Sequence, residues 1–188
     1  MHDQTQEYEL NAVKLYRTST TGILSTISKD YENYPFGSFI TYLSGRSRTM
    51  YLYLSEIAQH TKNLNHQSKA CVTVFKTHSG DKQNSQRLTI MGDLKQVSKN
   101  NTNYCEKLFF THFPESQRYS SFHKFHFYQL EIKHIRWIGG FGKIAWLKEK
   151  HWRNQEPKWS KSEYNIIQHM NNDHKKNIVS ALHAQYNI

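Results

Sequence analysis

His174 shares a three- and four-residue spacing with Ile167, Met170, Ile178 and Leu182, so on a helix its imidazole leaves from an apolar stripe. Two chemistries suit a histidine so placed. It can be a core residue whose ring nitrogens are met by a carboxylate or carbonyl. It can also be an axial ligand, because haem iron takes an imidazole from an apolar wall that also covers the porphyrin face. His169 lies five residues earlier, which on a helix of about 3.6 residues per turn rotates it away by about 140°, so the two rings do not converge on one ion. His169 reaches Asp173 instead, four residues on, as support along the helix surface. The His-Glu-x-x-His spacing of a zinc protease is absent from the segment, which disfavours hydrolytic metal chemistry.

In EIAQHTKNL, His60 and Lys62 fall near the end of a strand and the start of a helix. Free backbone N–H groups and cationic side chains there suit a phosphate or a propionate; the other reading is a solvated helix face. Arg87 opens a strand straight after a polar loop, and its guanidinium can grip a carboxylate in a two-pronged bond or simply lie on the surface. In WIGGFGKIAWL the paired Gly139 and Gly140 interrupt a strand-like stretch between Trp137 and Phe141. Missing side chains at that point permit a bulge, or the approach of another backbone or a flat ligand. The two aromatics suit either a core or a cofactor wall. The glycine spacing is not that of a dinucleotide-binding turn.

Strands dominate the elements that must position these side chains. A helix over residues 4–17 ends at the breaker Thr18 to Gly22, after which GILSTIS, SFITYLS and TMYLYLS read as strands joined by turns. EIAQHTKNLNHQ changes to a helical period, with Ile57, His60, Thr61 and Leu64 on one face of about three turns. ACVTVFK and RLTIMGDLKQV return to strand. A helix capped at Asn100 or Asn101 then turns Tyr104, Leu108, Phe109 and Phe110 inward and stops before Pro114. Residues 122–138 and 142–147 are the last strands, and a final helix runs from near Ser162 toward Leu182. Antiparallel runs with one helix between the third and fourth strands describe a mainly β, α+β fold: an antiparallel Greek-key β-barrel with a C-terminal helical tail. A doubly wound parallel sheet would need a helix after every strand. The expected division is a barrel domain with its N-terminal helix over residues 1–147, then a basic linker and helix over residues 148–188.

The 188 residues suit one barrel-sized domain with helical extensions. A formal net charge of +10 attracts polyanions without choosing among them. No ladder of Lys and Arg follows one helix, so a dedicated nucleic-acid surface is disfavoured. No apolar run nears the roughly 18 residues that cross a bilayer, and Met1 to Leu10 is polar and acidic where a secretory signal would be basic and then apolar. A cytoplasmic protein that does not enter a membrane is expected. Cys71, in a strand, and Cys105, in a helix, are expected to be core thiols and not a disulfide.

Taken together, LSEIAQHTKNL after the third strand, QRLTIMGDL in the middle, IRWIGGFGKIAWL at the last strands and HMNNDH in the tail resemble the HugZ/HutZ-type haem utilisation proteins. These belong to the broader pyridoxamine 5'-phosphate oxidase-like family. The resemblance spans nearly the whole chain, and HMNNDH with GGFGKIAWL is its most specific part. It implies a homodimeric split β-barrel that binds haem b between subunits, as both cofactor and substrate, and opens the porphyrin with oxygen and an external electron donor. The family's iron ligand falls on His174. Arg87, Lys62 and His60 fall on basic positions that would meet the propionates, with Trp137 and Phe141 as the candidate aromatic wall. Some relatives hold the ligand histidine with an aspartate from the penultimate long strand, where this chain has Lys124. The broader fold implies FMN as the alternative cofactor, although only Gln59 and His60 stand where oxidase relatives hold the flavin phosphate with Arg and Lys. A non-catalytic haem carrier is the third reading.

Overall fold

The computed structural model describes residues 2–152 and 158–186, which fall into two compact units, Met1–Asn154 and Gln155–Ile188. In the first unit α1 (His2–Thr18) leads into β1 (Thr21–Ile27), β2 (Pro35–Ser44) and β3 (Met50–Ser55). Then come α2 (Gln59–His66), β4 (Lys69–Lys76), β5 (Gln86–Gln96), α3 (Lys99–His112), β6 (Phe125–Ile138), β7 (Ile144–Leu147) and α4 (Glu149–Trp152). The strands pair antiparallel in the order β3-β2-β1-β4-β5-β6-β7, and β3 pairs again with β6. That last ladder closes six strands into a barrel and leaves β7 as a seventh strand beside the ring. β6 serves three neighbours because it is 14 residues long: Phe125 to Leu130 pair with β3, and Ile135 to Ile138 with β7.

Alternation decides which side chains enter the barrel. In β1, β3 and β4 buried residues recur at every second position, as strands with one face on a core and one toward solvent require. Leu24, Leu52, Val72, Val74, Leu88 and Ile90 fill the interior, each stabilising the fold by about 1.5–3 kcal/mol relative to exposure. α1 covers part of this core with Ala12, Leu15 and Tyr16. The Tyr16 ring stacks on Tyr42 at 5.5 Å and meets Trp152 edge-on at 5.4 Å.

Several elements differ from the expectations. α2 has two turns, not three: Ala58 is still extended and Ile57 lies outside the helix, exposed. The N-cap position of α3 is Ser98, earlier than Asn100 or Asn101, so Cys105 and Phe109 face the core while Tyr104 is exposed. The barrel unit runs beyond Leu147, because Trp152 on α4 is fully buried in the core.

The second unit comprises a 3-10 turn (Lys158–Ser162), α5 (Glu163–Asp173) and α6 (Lys175–Tyr186). The single helix expected there is broken at His174, whose φ of −116° and ψ of 13° are not helical. Asn171, Asn172 and Asp173 precede the break; such side chains bond to nearby backbone and weaken a helix. None of the described residues of this unit is buried. No helix among the described residues is long and apolar enough to cross a membrane.

Candidate functional site

α2 follows β3 after a short turn, and its second residue, His60, lies against β2 with Nδ1 3.2 Å from Ser38 Oγ. The other ring nitrogen, Nε2, is buried with no partner among the described residues. Burial lowers the His60 pKa below its ordinary 6.5, because removing water penalises the imidazolium. The ring lines a cavity of about 510 Å³ whose other walls include Phe39, Tyr53, Phe109, Phe113 and Phe125. Tyr53 organises that wall, its ring 4.9 Å from Phe125 and 4.6 Å from Phe127. Asn63, fully buried, ties α2 to the barrel: Oδ1 accepts from the Lys29 backbone N–H at 3.0 Å, and Nδ2 donates to Thr26 Oγ1 at 3.0 Å. Lys62 is exposed.

A second cavity, of about 560 Å³, lies along β1, β4, β5 and β6 and is lined by Cys71, Met91, Asp93, Lys133 and His134 among others. Strand register produces it. Met91 pairs with His134 and Gly92 with Ile132, so β6 carries one extra residue, Lys133. Bulges of this kind re-aim side chains, and here Lys133 and His134 are both exposed in succession. Gly92 allows the close approach, since a Cβ there would run into the Glu131 carbonyl oxygen. Lys133 and Lys95 bond the Glu131 carboxylate at 2.6 and 2.9 Å and hold its pKa down at about 2. Cys105 is the core thiol expected, but Cys71 is only half-buried, because it sits on the outward face of β4. Burial pushes both thiols up.

In the second unit His169 Nδ1 meets Asp173 Oδ2 at 2.7 Å, the four-residue contact expected. The expected divergence of His169 and His174 does not occur. The break at His174 brings the two rings to 5.0 Å, edge to face at 84°. His174 is half-buried, and Ile167, Met170 and Leu182 of the same unit are exposed apolar side chains.

The other candidates lie elsewhere. Arg87, on β5, is half-buried and donates to the Gln83 carbonyl at 3.2 Å. Trp137 is 1% exposed, inside the barrel core; its inward position on β6 leaves no ring face for a cofactor within this chain, which corrects its reading as a wall. Phe141 is 98% exposed in the β6–β7 turn, and its backbone N–H donates to Asn84 Oδ1 at 2.7 Å. Gly140, at φ +125°, makes that turn possible, while a Cβ on Gly139 would press on the Trp137 indole at 3.0 Å. Arg87 and Phe141 thus flank one loop cluster, while His60 lines a separate cavity. Sequence patterns missed Asn63 and the Cys71–Met91–His134 row. Nothing local marks the first, and only strand register aligns the second.

The six-stranded ring with its attached strand has the split-barrel fold seen in solved structures that include a putative pyridoxamine 5'-phosphate oxidase. Among proteins of this fold the chain belongs to the CREG-type β-barrel family, whose model, described as CREG, beta-barrel, matches residues 4–154. It is 25% identical over 170 residues to the Arabidopsis thaliana protein named Non-canonical heme oxygenase HOZ, chloroplastic, covering 88% of this chain and 52% of that protein. The chain therefore spans about half the length of this curated relative. Among solved structures, the heme binding protein of Mycobacterium smegmatis superposes with a TM-score of 0.67 at 22% identity, covering 87% of this chain and 69% of that one. HutZ, the heme storage protein of Vibrio cholerae, gives 0.54 at 20% identity, covering 64% and 87%. At such identities the structural likeness speaks for the fold.

Proposed function

We propose that this chain binds haem as a homodimer, with His174 as the iron ligand, and that it degrades the haem it binds. The observation that carries the reading is the placement of His174: a half-buried imidazole at a helix break, in a unit whose apolar side chains Ile167, Met170 and Leu182 are exposed. An iron porphyrin asks for that combination, a nitrogen donor beside an apolar cover. The residues present fit the group. His169, oriented by Asp173, packs edge-on against the ligand ring and limits its rotation. Lys124, which the resemblance sets in the penultimate strand where some relatives carry an aspartate, instead stands just before β6, where its carbonyl accepts from the Glu56 N–H at 2.9 Å.

Arg87 and Lys62 are the cations offered to the propionates, His60 a neutral hydrogen-bonding partner held uncharged by burial, and Phe141 an apolar cover. Arg87 lies opposite Ile138 at the end of β6, while the His60 cavity lies beside Phe125 at its start, so these residues would line one slot only if they came from different copies. Phe39, Phe75 and Trp146, exposed on the outer barrel surface, give such a dimer apolar area to bury. Bound haem would supply oxygen binding and oxidation of its own macrocycle, with electrons from an external donor. FMN fits the His60 cavity less well, because its lining offers a phosphate no Lys or Arg and includes Glu115.

Hemin titrated into the purified protein is expected to give a Soret band, and His174→Ala to weaken binding at least about tenfold; an unchanged spectrum in the variant rules out this ligand. An electron donor added in air is expected to bleach the band and release iron and a bilin. A band that persists makes the protein a carrier.

A further inference from the structure

The cavity beside His60 is poorly suited to a phosphate, and its lining asks for the opposite charge. Six aromatic side chains contribute to its walls: Phe39, Tyr53, Phe109, Phe113, Tyr119 and Phe125. Tyr119 is inclined to Phe125 by 30°, Phe125 to Tyr53 by 32°, Tyr53 to Phe109 by 50° and Phe109 to Phe113 by 50°. No two successive rings share a plane, so the wall presents faces and edges in several directions. Phe39 is 71% exposed, which leaves the space open to a ligand, and Phe109 is buried. Among the described residues the lining holds one carboxylate, Glu115, and no Lys or Arg. His60 adds no charge, because burial lowers its pKa.

We propose that this cavity binds a small organic cation, an alkylated ammonium group carrying a hydroxyl, and not a phosphorylated flavin. Aromatic faces are negative and attract a cationic group within about 6 Å of the ring centroid, most strongly where water is excluded. The chain shows the same attraction at its surface, where Arg118 Cζ stands 5.8 Å over the Tyr119 ring. Glu115 supplies the opposite charge. His60 Nε2, buried without a partner among the described residues, is left for the hydroxyl, which can donate or accept according to the tautomer. A flavin phosphate would find neither a cationic partner nor an uncharged surrounding, since charge-assisted bonds from Lys or Arg are what hold such a group.

The test is titration of the haem-free full chain with choline and, separately, with 3,3-dimethylbutan-1-ol, which has the same shape and hydroxyl but no charge. Proton NMR of the ligand methyl groups reads both. Choline is expected to bind with its N-methyl signal moved upfield by the surrounding rings, and at least about tenfold more tightly than the neutral alcohol. This comparison uses the unaltered protein, so the folding of a variant is not in question. Glu115→Gln and Phe113→Leu are each expected to weaken choline at least about threefold, and FMN is expected not to displace it. Equal affinity for the two ligands, an unmoved N-methyl signal, unchanged affinity in both variants, or displacement of choline by FMN would each overturn the proposal. Because haem is absent throughout, the result is independent of the haem reading.

Discussion

Burial of His60 ties folding to pH with a definite sign. Its folded pKa lies below the unfolded value of 6.5, through desolvation, so the folded protein resists taking up this proton. Its contribution to stability is complete above the unfolded pKa and is lost as pH falls below about 6.5 toward the folded pKa. Denaturant midpoints measured from neutral to mildly acidic pH are expected to fall with acidification, and less steeply in His60→Gln. Parallel curves for the two proteins would remove His60 as the source. The chain has 12 histidines, so the difference between wild type and variant is the informative quantity. His174 makes another point at this scale: its non-helical backbone angles set where its ring lies relative to His169, and the three- and four-residue spacing says nothing about that.

Two elements depend on single side chains. In the β5–β6 ladder the backbone at Gly92 passes so close to Glu131 that any Cβ clashes with its carbonyl. Gly92→Ala is expected to cost about 1–3 kcal/mol through overpacking, lowering Tm by several degrees for a unit of this size, and to shift the NMR signals of His134. An unaltered melting curve would mean that the strands can part without cost. α4 is a single turn, yet Trp152 is fully buried, with Tyr16 edge-on at 5.4 Å and the Arg48 guanidinium 5.4 Å over the ring. Arg48 also pairs with Glu9 on α1 at 2.7 Å, so the aromatic joins both ends of the barrel unit. Trp152→Ala is expected to cost about 3–5 kcal/mol, read as a lower urea midpoint. A change under 1 kcal/mol, about the surface range, would show that α4 is not part of the core.

For the whole molecule, the decisive contact is the β3–β6 ladder, from Met50 with Leu130 to Ser55 with Phe125. Closure turns a seven-stranded sheet into a ring and removes the exposed edge of β3. The unit from Gln155 to Ile188 differs in kind, since its described residues bury nothing within it. Helices with apolar side chains left uncovered gain stability by docking on a partner surface or ligand. At this scale the haem reading predicts a gain in thermal stability on hemin addition, because a ligand bound only by the folded state raises Tm in proportion to its occupancy. His174→Ala is expected to lose most of that gain, as measured by calorimetry. An equal gain in both proteins would place haem elsewhere.

Much of the barrel was legible in one dimension because strand alternation and the helical change of period between β3 and β4 are local signals. The strands fall where GILSTIS, TMYLYLS and ACVTVFK suggest, within a few residues. The His169–Asp173 contact follows from helix spacing alone. What only the tertiary structure decided is which strands meet and in what register: the β3–β6 closure, the row of Cys71, Met91 and His134, the burial of Trp137 and Trp152, and the separation of Arg87 from His60. Periodicity reports which way a side chain faces relative to its neighbours along the chain. It carries no information about partners many residues away, and a strand can be paired in several registers with the same alternation.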